Sequence, residues 1–422
     1  MQVKSKKLQG ILYALGPGLL MAGAAIGGSH LVQSTRAGAS YGFALVWAVV
    51  LANLFKYPFF EYGPRYTAAT GENLLRGYQR LGTWAITIFF IFTISTMFII
   101  LAALATVTAG LSAQMLGLGL SPFTWSLIIL LICMAILLLG EYPLLDRVMK
   151  VIIVVLALST VVAVITVLFH GRHATHIPIT APGVWTVAGI SFVVALMGWM
   201  PSVIDISVWH SLWTLERGKQ TGHTATLKEV RFDFNLGYIG TAVLALFFLT
   251  LGALVMFGSG ENFSNSTVKF AGQLVSLYTR SLGSWAGPII VTAAFTTMFS
   301  TTLVVTDAYP RVISNISHLM FPHFTKRWKK ERIYLYTMIL LVLVALVIIS
   351  FLHSQIKTLI DLATTLSFLT TPVLATINYR VIMSPAVPGE ARPGLAMRIL
   401  SWAGIAFWGG FALFFIYMRI GF

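Results

Sequence analysis

The chain has 422 residues, of which 57% are hydrophobic and only 10% are charged, and its formal net charge is +15. A soluble globular protein carries about 25% charged residues, so this composition excludes a soluble domain and indicates an all-α integral membrane protein. The basic residues stand in short segments between apolar runs, a distribution typical of membrane topology rather than of nucleic-acid binding. We expect a lipid bilayer as the surrounding partner and find no sign of an obligate protein partner.

Apolar runs follow one another along the whole chain. A membrane-spanning helix needs roughly 20 apolar residues, and eleven runs reach that length. The predicted spans lie near 11–36, 42–64, 84–116, 121–140, 148–169, 186–214, 233–258, 285–310, 333–353, 357–383 and 398–419. The longest segment between them, near 259–284, is polar and is expected to be an external loop. The chain 1–422 is therefore predicted to be a single transmembrane domain.

The basic residues also predict the orientation of these spans. Of the 28 Lys and Arg residues, 21 fall on the inner side and 6 on the outer side if the amino terminus is inside. Cytoplasmic loops are the ones enriched in Lys and Arg. We therefore expect a multi-pass protein of a bacterial-type inner (plasma) membrane, with a cytoplasmic amino terminus and an external carboxyl terminus. Lys56 lies inside the second span and belongs to neither side.

The first apolar run contains a stretch that is poorly suited to regular helix. Gly27 and Gly28 are followed by Ser29 and His30, and Ser34 comes about a turn later. Glycine costs about 1 kcal/mol relative to alanine inside a helix, and unwound backbone at membrane depth occurs only where it is buried in protein or lines a cavity. We expect an unwound substrate-binding segment here. A glycine-rich helix-packing surface is the alternative.

The sixth apolar run is interrupted as well. The interruption consists of Met200, Pro201 and Ser202. Pro201 removes a backbone donor, and Asp205 places a carboxylate within the span, which is costly and marks a pathway or a paired residue. Asp205 is therefore a candidate binding residue. The alternatives are a structural pair with Lys56 or His30, or a cap on the following half-helix.

Interrupted helices in corresponding positions of two halves indicate the binding site of a secondary transporter. The first five spans, in 11–185, and the next five, in 186–384, each open on such a helix. We therefore predict two inverted five-helix repeats, followed by an extra helix in 395–422.

Polar residues on other spans are candidates for coupling or gating. They are His210, Asp307 and Asp361. The eighth run also has a polar face that includes Thr301, and we expect that face to line the cavity or its gate.

Several short motifs of this chain resemble those of a known family. They are Gly16-Pro17-Gly18-Leu19-Leu20, Tyr41-Gly42-Phe43, Leu51-Ala52-Asn53-Leu54, the stretch 68–75 with its Thr-Gly-Glu-Asn sequence, and Trp209-His210-Ser211. Their order and spacing resemble the NRAMP family of proton-coupled divalent-metal transporters over most of the chain. This resemblance implies the LeuT fold of the APC superfamily, with helices 1 and 6 interrupted.

The chain departs from this family at the metal ligands. The family's Asp-Pro-Gly-Asn signature coincides with Gly27-Gly28-Ser29-His30, so a glycine replaces the metal-binding aspartate. Alignment of the family's Met-Pro pair with Met200-Pro201 leaves about three extra residues before His210. Alignment backwards from His210 instead places Val203 and Asp205 at the family's methionine and histidine. The acidic residues of the third span are also missing.

Two functions follow. The first is secondary active transport of a divalent metal cation of the Mg²⁺ or Mn²⁺ class through an altered site, with backbone carbonyls near Gly27, with His30 and Asp205 as metal ligands, and with Met200 as a further candidate. The second is symport of a small organic solute, such as an amino acid or a carboxylate, whose ammonium group would face Asp205. No nucleophile and base stand at a recognised spacing, so we expect neither an enzyme nor a resident cofactor. The coupling ion, proton or sodium, stays open.

Overall fold

The structure, a computed structural model, is helical, and the residues that it describes contain no strand. The described residues are 10, 13–140, 142–170, 182–325, 328–352 and 355–420. Some of the basic residues from which the orientation was predicted, including Lys4, Lys6 and Lys7, lie outside them. An all-α fold is what the apolar runs predicted, because a helix satisfies all of its backbone groups within one segment at membrane depth.

The helices succeed one another with short connections. They are α1 (Pro17–Ala25), a π-helical segment (Ile26–Ser34), α2 (Thr35–Tyr41), α3 (Val46–Thr70), α4 (Leu74–Leu81), α5 (Thr83–Leu116), α6 (Pro122–Leu139), α7 (Tyr142–His170), α8 (Val187–Trp199), α9 (Ile206–Thr221), α10 (Leu227–Val255), α11 (Thr267–Leu282), α12 (Gly287–Met320), α13 (Lys330–Leu352), α14 (Ile356–Ile382) and α15 (Leu395–Ile420). A single helical turn, Pro322–Thr325, connects α12 to α13.

Several helices begin or end at capping residues that can be recognised in the sequence. The Ser121 hydroxyl accepts a hydrogen bond from the backbone N–H three residues further on, at 3.1 Å, ahead of Pro122 in the first position of α6. Thr226 and Glu229 form a reciprocal capping box at the start of α10. Gly71 ends α3 in the left-handed conformation, with a φ of 70° that suits a residue without a side chain.

Each predicted apolar run coincides with helix in the structure. Within the described residues, seven helices are long and apolar enough to cross a membrane: α5, α6, α10, α12, α13, α14 and α15. The first run is divided between α1, the π segment and α2, and the sixth between α8 and α9. The all-α membrane fold is thus confirmed, whereas the number of crossings and their orientation stay predictions.

The prediction of a polar loop near 259–284 is wrong, because most of this stretch forms α11. The helix buries one face through Phe270, Leu274 and Tyr278, while Lys269 and Arg280 are exposed. These three residues are spaced by four, so they lie on one side of a helix. The average polarity of the segment concealed this periodicity.

The continuous helical segment made of α1, the π segment and α2 packs against α10, and glycines lie at the points of closest contact. A β-carbon at Gly38 would overlap the carbonyl oxygen of Leu249, and one at Gly252 would overlap the carbonyl oxygen of Thr35. Small residues allow two membrane helices to approach until their backbones touch. This contact fixes the first interrupted helix against α10, and it thereby determines where the π segment lies.

We expect Gly252→Ala to lower the stability of the protein by about 1–3 kcal/mol, because the added methyl group would force α2 and α10 apart. Gly240→Ala, on the same helix, is the matched control, since nothing lies within 4 Å of a β-carbon at that position. Thermal unfolding of both variants in detergent checks the prediction. Equal melting temperatures would show that the close contact is not needed.

Candidate transport site

The first interruption is a π-helix rather than an unwound segment. Residues Ile26–Ser34 continue the helix from α1 into α2, with the wider hydrogen-bonding pattern of the π form. The expected release of backbone N–H and C=O groups around Gly27 and Gly28 is therefore wrong for this structure. The two glycines instead allow a close approach between helices, which was the alternative interpretation.

Gly27 and Gly28 lie where the π segment touches α12 and α8. A β-carbon at Gly27 would overlap the Thr301 hydroxyl and lie 3.0 Å from the sulfur of Met298. A β-carbon at Gly28 would lie 2.6 Å from the ring of Trp199. Neither glycine position therefore has room for a side chain, because α12 fills the space beside Gly27 and the ring of Trp199 fills the space beside Gly28.

Ser29 connects the two interruptions directly. Its hydroxyl lies 2.6 Å from the Pro201 carbonyl oxygen, 2.5 Å from the Ala25 carbonyl oxygen and 2.5 Å from Nδ1 of His30. The side chain of Ser29 is 2% exposed, so these contacts are made away from bulk solvent. Ser29 thus lies at the site, as predicted, and its hydroxyl joins the π segment to the second interruption.

His30 lies in the π segment but does not face a metal site. Its Nε2 donates a hydrogen bond to the Thr241 carbonyl oxygen on α10 at 2.8 Å, and its Nδ1 lies beside Ser29. Both ring nitrogens therefore already have protein partners, whereas a metal ligand needs a free nitrogen lone pair. The structure does not bring His30 and Asp205 together as ligands. Across the part of the chain that it describes, no group of three or more His, Cys, Asp or Glu residues could hold a metal ion.

The second interruption separates α8 from α9 over residues 200–205. The peptide bond between Met200 and Pro201 is cis, and both side chains are buried. The Lys56 ammonium on α3 donates hydrogen bonds to the carbonyl oxygens of Met197, Gly198 and Ser202. The ion pair between Lys56 and Asp205, which was one of the alternatives for Asp205, is not among the contacts of the described residues, and Lys56 binds backbone oxygens instead.

Asp205 differs from the other buried acidic residues that the structure describes. Glu61 pairs with an arginine, Asp307 pairs with an arginine and a tyrosine, and Asp233 accepts two backbone N–H bonds. Asp205 is 5% exposed, it makes no capping bond at the start of α9, and its Oδ1 has no hydrogen-bond partner. A buried, uncompensated carboxylate is costly, and Asp205 is the residue of this group that lacks such compensation.

A small cavity of about 20 Å³ lies between the two interruptions. Besides apolar side chains, its wall contains Gly28, the hydroxyl-bearing residues Ser29, Ser202 and Thr301, and the aromatic residues Trp199 and Trp209. A volume of this size holds about one water molecule. Gly28, Ser29, Ser202 and Thr301 were predicted to line the site, while Trp199 and Trp209 were not.

Six predicted binding residues do not line this cavity. They are Gly27, His30, Ser34, Met200, Pro201 and Asp205. All of them are buried in the surrounding protein. The side-chain oxygen of Ser34 has no hydrogen-bond partner. Three hydroxyl groups and two indole rings thus share the wall of the cavity with apolar side chains that include Ile100, Leu104 and Val203. The wall contains no side chain that commonly chelates a transition metal.

The candidate coupling residue His210 lies below the cavity on α9. It is 0% exposed, neither ring nitrogen has a hydrogen-bond partner, and its Nε2 lies 3.9 Å from Oδ2 of Asp233. Asp233 in turn accepts hydrogen bonds from the backbone N–H groups of Gly16 and Gly18, at 3.0 and 2.6 Å. His210 therefore faces the carboxylate that caps the start of α1.

The two candidate gating residues each form an ion pair. Asp361 on α14 accepts two hydrogen bonds from Arg36 on α2, at 2.7 and 3.1 Å. Asp307 on α12 pairs with Arg311 at 2.8 Å and accepts a hydrogen bond from Tyr334 at 2.8 Å. The pair of Arg36 and Asp361 joins the two predicted repeats. Asp307 and Arg311 both lie on α12, and the hydrogen bond from Tyr334 joins α12 to α13. Neither candidate gating residue lines the cavity.

We expect Gly27→Ala to destabilise the protein by about 1–3 kcal/mol, because the methyl group would collide with Thr301. Thr301→Ala in the same chain should recover part of this loss, since the overlapping hydroxyl is removed. Gly409→Ala is the control, as nothing lies within 4 Å of a β-carbon there. Thermal unfolding of the single and double variants measures the coupling. Strictly additive losses would contradict the contact.

Comparison with known proteins supports the fold and gives the family. The family described as "Natural resistance-associated macrophage protein-like", Nramp, matches residues 18–418. A Pasteurella multocida (strain Pm70) protein, PM0681, is 39% identical over 411 residues, which cover 97% of this chain and 93% of that protein.

Solved structures share the fold at much lower identity. A mutant of the Eremococcus coleocola manganese transporter superposes with a TM-score of 0.71 at 17% identity, over 98% of this chain and 88% of that one. MhsT in complex with L-phenylalanine superposes with a TM-score of 0.63 at 12% identity, over 95% and 98% of the two chains. The match to the family over nearly the whole length, together with these LeuT-fold neighbours, shows that the chain belongs to the Nramp family of membrane transporters.

Proposed function

We propose that this chain is a secondary active transporter that moves a divalent metal cation of the Mg²⁺ or Mn²⁺ class. The observation that carries the proposal is the buried carboxylate of Asp205, which has an oxygen without a partner and lies in the interruption between α8 and α9. A carboxylate at membrane depth requires a positive partner. A cationic cargo, or a proton, would supply the charge that the protein itself does not provide.

Family membership supports the same proposal. The Eremococcus coleocola neighbour is a manganese transporter. This chain would hold its cargo differently, because the position of the family's aspartate is filled by contact between Gly27 and Thr301. We propose that the cargo is bound by oxygen atoms of Ser29, Ser202 and nearby backbone, with Asp205 as the charge partner. Oxygen ligands favour hard cations such as Mg²⁺ and Mn²⁺.

A second candidate cargo is a small organic solute that carries an ammonium group. Two indole rings, Trp199 and Trp209, stand on the cavity wall beside hydroxyl groups. Indole faces attract cations and pack against apolar groups, and in this case Asp205 would pair with the ammonium of the solute. MhsT, which shares the fold, was solved in complex with L-phenylalanine.

We propose coupling and gating roles for the polar residues outside the cavity. His210 would exchange a proton and, once charged, compete with the start of α1 for the carboxylate of Asp233. Asp361, through its ion pair with Arg36, would close the path between α2 and α14. Asp307 would hold α12 against α13. In each case, a change of charge would alter the contact between two helices.

Uptake by proteoliposomes tests the cargo. We expect wild-type protein to carry Mn²⁺ or Mg²⁺, and we expect Asp205→Asn to reduce uptake at least tenfold, because the amide keeps the size of the side chain but removes its charge. The matched control is Glu216→Gln, a half-exposed carboxylate on α9, which should leave uptake unchanged. Full activity in Asp205→Asn would overturn the role of Asp205. If neither metal is carried but amino acids are, the second candidate replaces the first.

The pH dependence of uptake tests His210. Wild-type uptake should respond to a proton gradient across the vesicle membrane, because a proton on His210 would change its contact with the carboxylate of Asp233. His210→Gln should flatten that response, while His318→Gln, a partly buried histidine on α12, should retain it. An unchanged pH profile in His210→Gln would show that the proton acts elsewhere.

A further inference from the structure

Lys56 is buried at the centre of the protein without an acidic partner. The residue is 0% exposed, and no described carboxylate forms an ion pair with it. The nearest acid along α3, Glu61, pairs with Arg65 and Arg231 instead. Because an isolated ammonium group in an apolar interior is costly, its environment must compensate the charge in another way.

Three backbone carbonyl oxygens surround the Lys56 ammonium. Its Nζ lies 3.0 Å from the oxygen of Met197, 2.7 Å from that of Gly198 and 3.1 Å from that of Ser202. The ring of Trp408 covers a fourth side, with its centroid 5.1 Å away. An ammonium has three donors and no acceptor, so these three carbonyls use all of its N–H groups. A neutral amine has only two N–H donors and could not satisfy them all.

The position of these carbonyls explains why a cation is bound there. Met197 and Gly198 belong to the last turn of α8, which ends at Trp199, and the last four carbonyls of a helix lack their usual partner one turn further along. The Met197 oxygen also accepts the backbone N–H of Met200, whereas the Lys56 ammonium is the donor for the Gly198 oxygen. The carboxyl end of a helix also carries a partial negative charge of about half an electron. At membrane depth no bulk water can satisfy such groups. The Ser202 oxygen comes from the interruption that follows.

The same half-helix end is fixed in place from the opposite side. A β-carbon at Gly198 would overlap the carbonyl oxygen of Thr364 on α14, so this part of α8 cannot shift towards α14. The carbonyl oxygens are consequently held in one arrangement, as in a preformed ion site. Rings of backbone carbonyls that replace the hydration shell are a common way to bind monovalent cations.

We propose that the carbonyl oxygens of Met197, Gly198 and Ser202 form a monovalent-cation site that the chain fills permanently with its own Lys56 ammonium. In this arrangement the end of α8 is neutralised by a tethered cation and needs no exchangeable Na⁺ or K⁺. The site adjoins the cargo cavity through Ser202, which lies on the cavity wall, whereas Lys56 and Met197 do not. The inference does not depend on which cargo the protein carries.

Chemical rescue of a truncated variant tests this site. Lys56→Ala removes the ammonium and leaves space beside the three oxygens, so its melting temperature in detergent should fall clearly below that of the wild type. Methylammonium chloride should restore at least half of the loss, because binding to the folded state alone raises its stability. Tetramethylammonium chloride, at equal concentration, should not restore it, since this ion has the same charge but no N–H donor. The melting temperature of the wild type should respond to neither salt.

Two further variants separate charge from volume. Lys56→Met keeps most of the volume without the charge, so it should be destabilised and should not respond to methylammonium. Lys219→Ala, at a lysine whose side chain is 74% exposed, should behave as the wild type. Rescue of Lys56→Ala by Na⁺ or K⁺ would also support the site, since these ions would bind the same oxygens.

The proposal has clear contrary outcomes. It is wrong if Lys56→Met is as stable as the wild type, because the ammonium would then be dispensable. It is also wrong if no monovalent cation, or every salt equally, changes the stability of Lys56→Ala. Should Lys56→Ala fail to fold, purification in methylammonium throughout decides the matter: folded protein would support the site, and continued failure would count against it.

Discussion

The rest of this structure depends on one constraint, which is that backbone groups at membrane depth must find partners inside the protein. Each interrupted helix meets it in its own way. The first run adopts the π form over Ile26–Ser34, so its backbone hydrogen bonds are rearranged but not lost. The sixth run is interrupted after Trp199. The Lys56 ammonium binds the carbonyl oxygen of Gly198, and the Ser29 hydroxyl lies within hydrogen-bonding distance of the carbonyl oxygen of Pro201.

These two solutions determine the chemistry of the space between them. The π form brings Gly27 and Gly28 against Thr301 and Trp199, so no side chain can project from the first helix at those positions. The opened segment contributes Ser202 to the cavity wall and leaves Oδ1 of Asp205 buried without a hydrogen-bond partner. The hydroxyl groups that the two interruptions present to the cavity are therefore those of Ser29 from the first and Ser202 from the second.

The sequence predicted the fold well because membrane constraints are strict. Eleven apolar runs all became helix, and the two glycine- and proline-containing interruptions lie together around the cavity. The form of the first interruption could not be predicted, since Gly27 and Gly28 suit an unwound segment and a close helix contact equally well. Which of these occurs depends on Thr301, which lies far away in the sequence.

The partners of the charged residues were also beyond the sequence. A pair between Lys56 and Asp205 was one alternative, yet Lys56 binds carbonyl oxygens, because the carboxyl end of α8 carries a partial negative charge that no single residue type indicates. His30 was expected to bind a metal, but its Nε2 donates a hydrogen bond to the carbonyl oxygen of Thr241. In contrast, the motif Trp209-His210-Ser211 placed His210 correctly on α9, although its contact with Asp233 emerged only from the packing of α9 against α10.

The Ser29 hydroxyl has a consequence for movement between the two halves of the protein. It has a single proton and three acceptors within reach, which are the carbonyl oxygens of Ala25 and Pro201 and the Nδ1 atom of His30. If the halves separate, the proton can stay with Ala25 or His30, so the link to Pro201 is broken without leaving an unsatisfied donor. The two interruptions are therefore joined by a bond that can be exchanged rather than lost, and the energetic barrier to parting them at this point is correspondingly low.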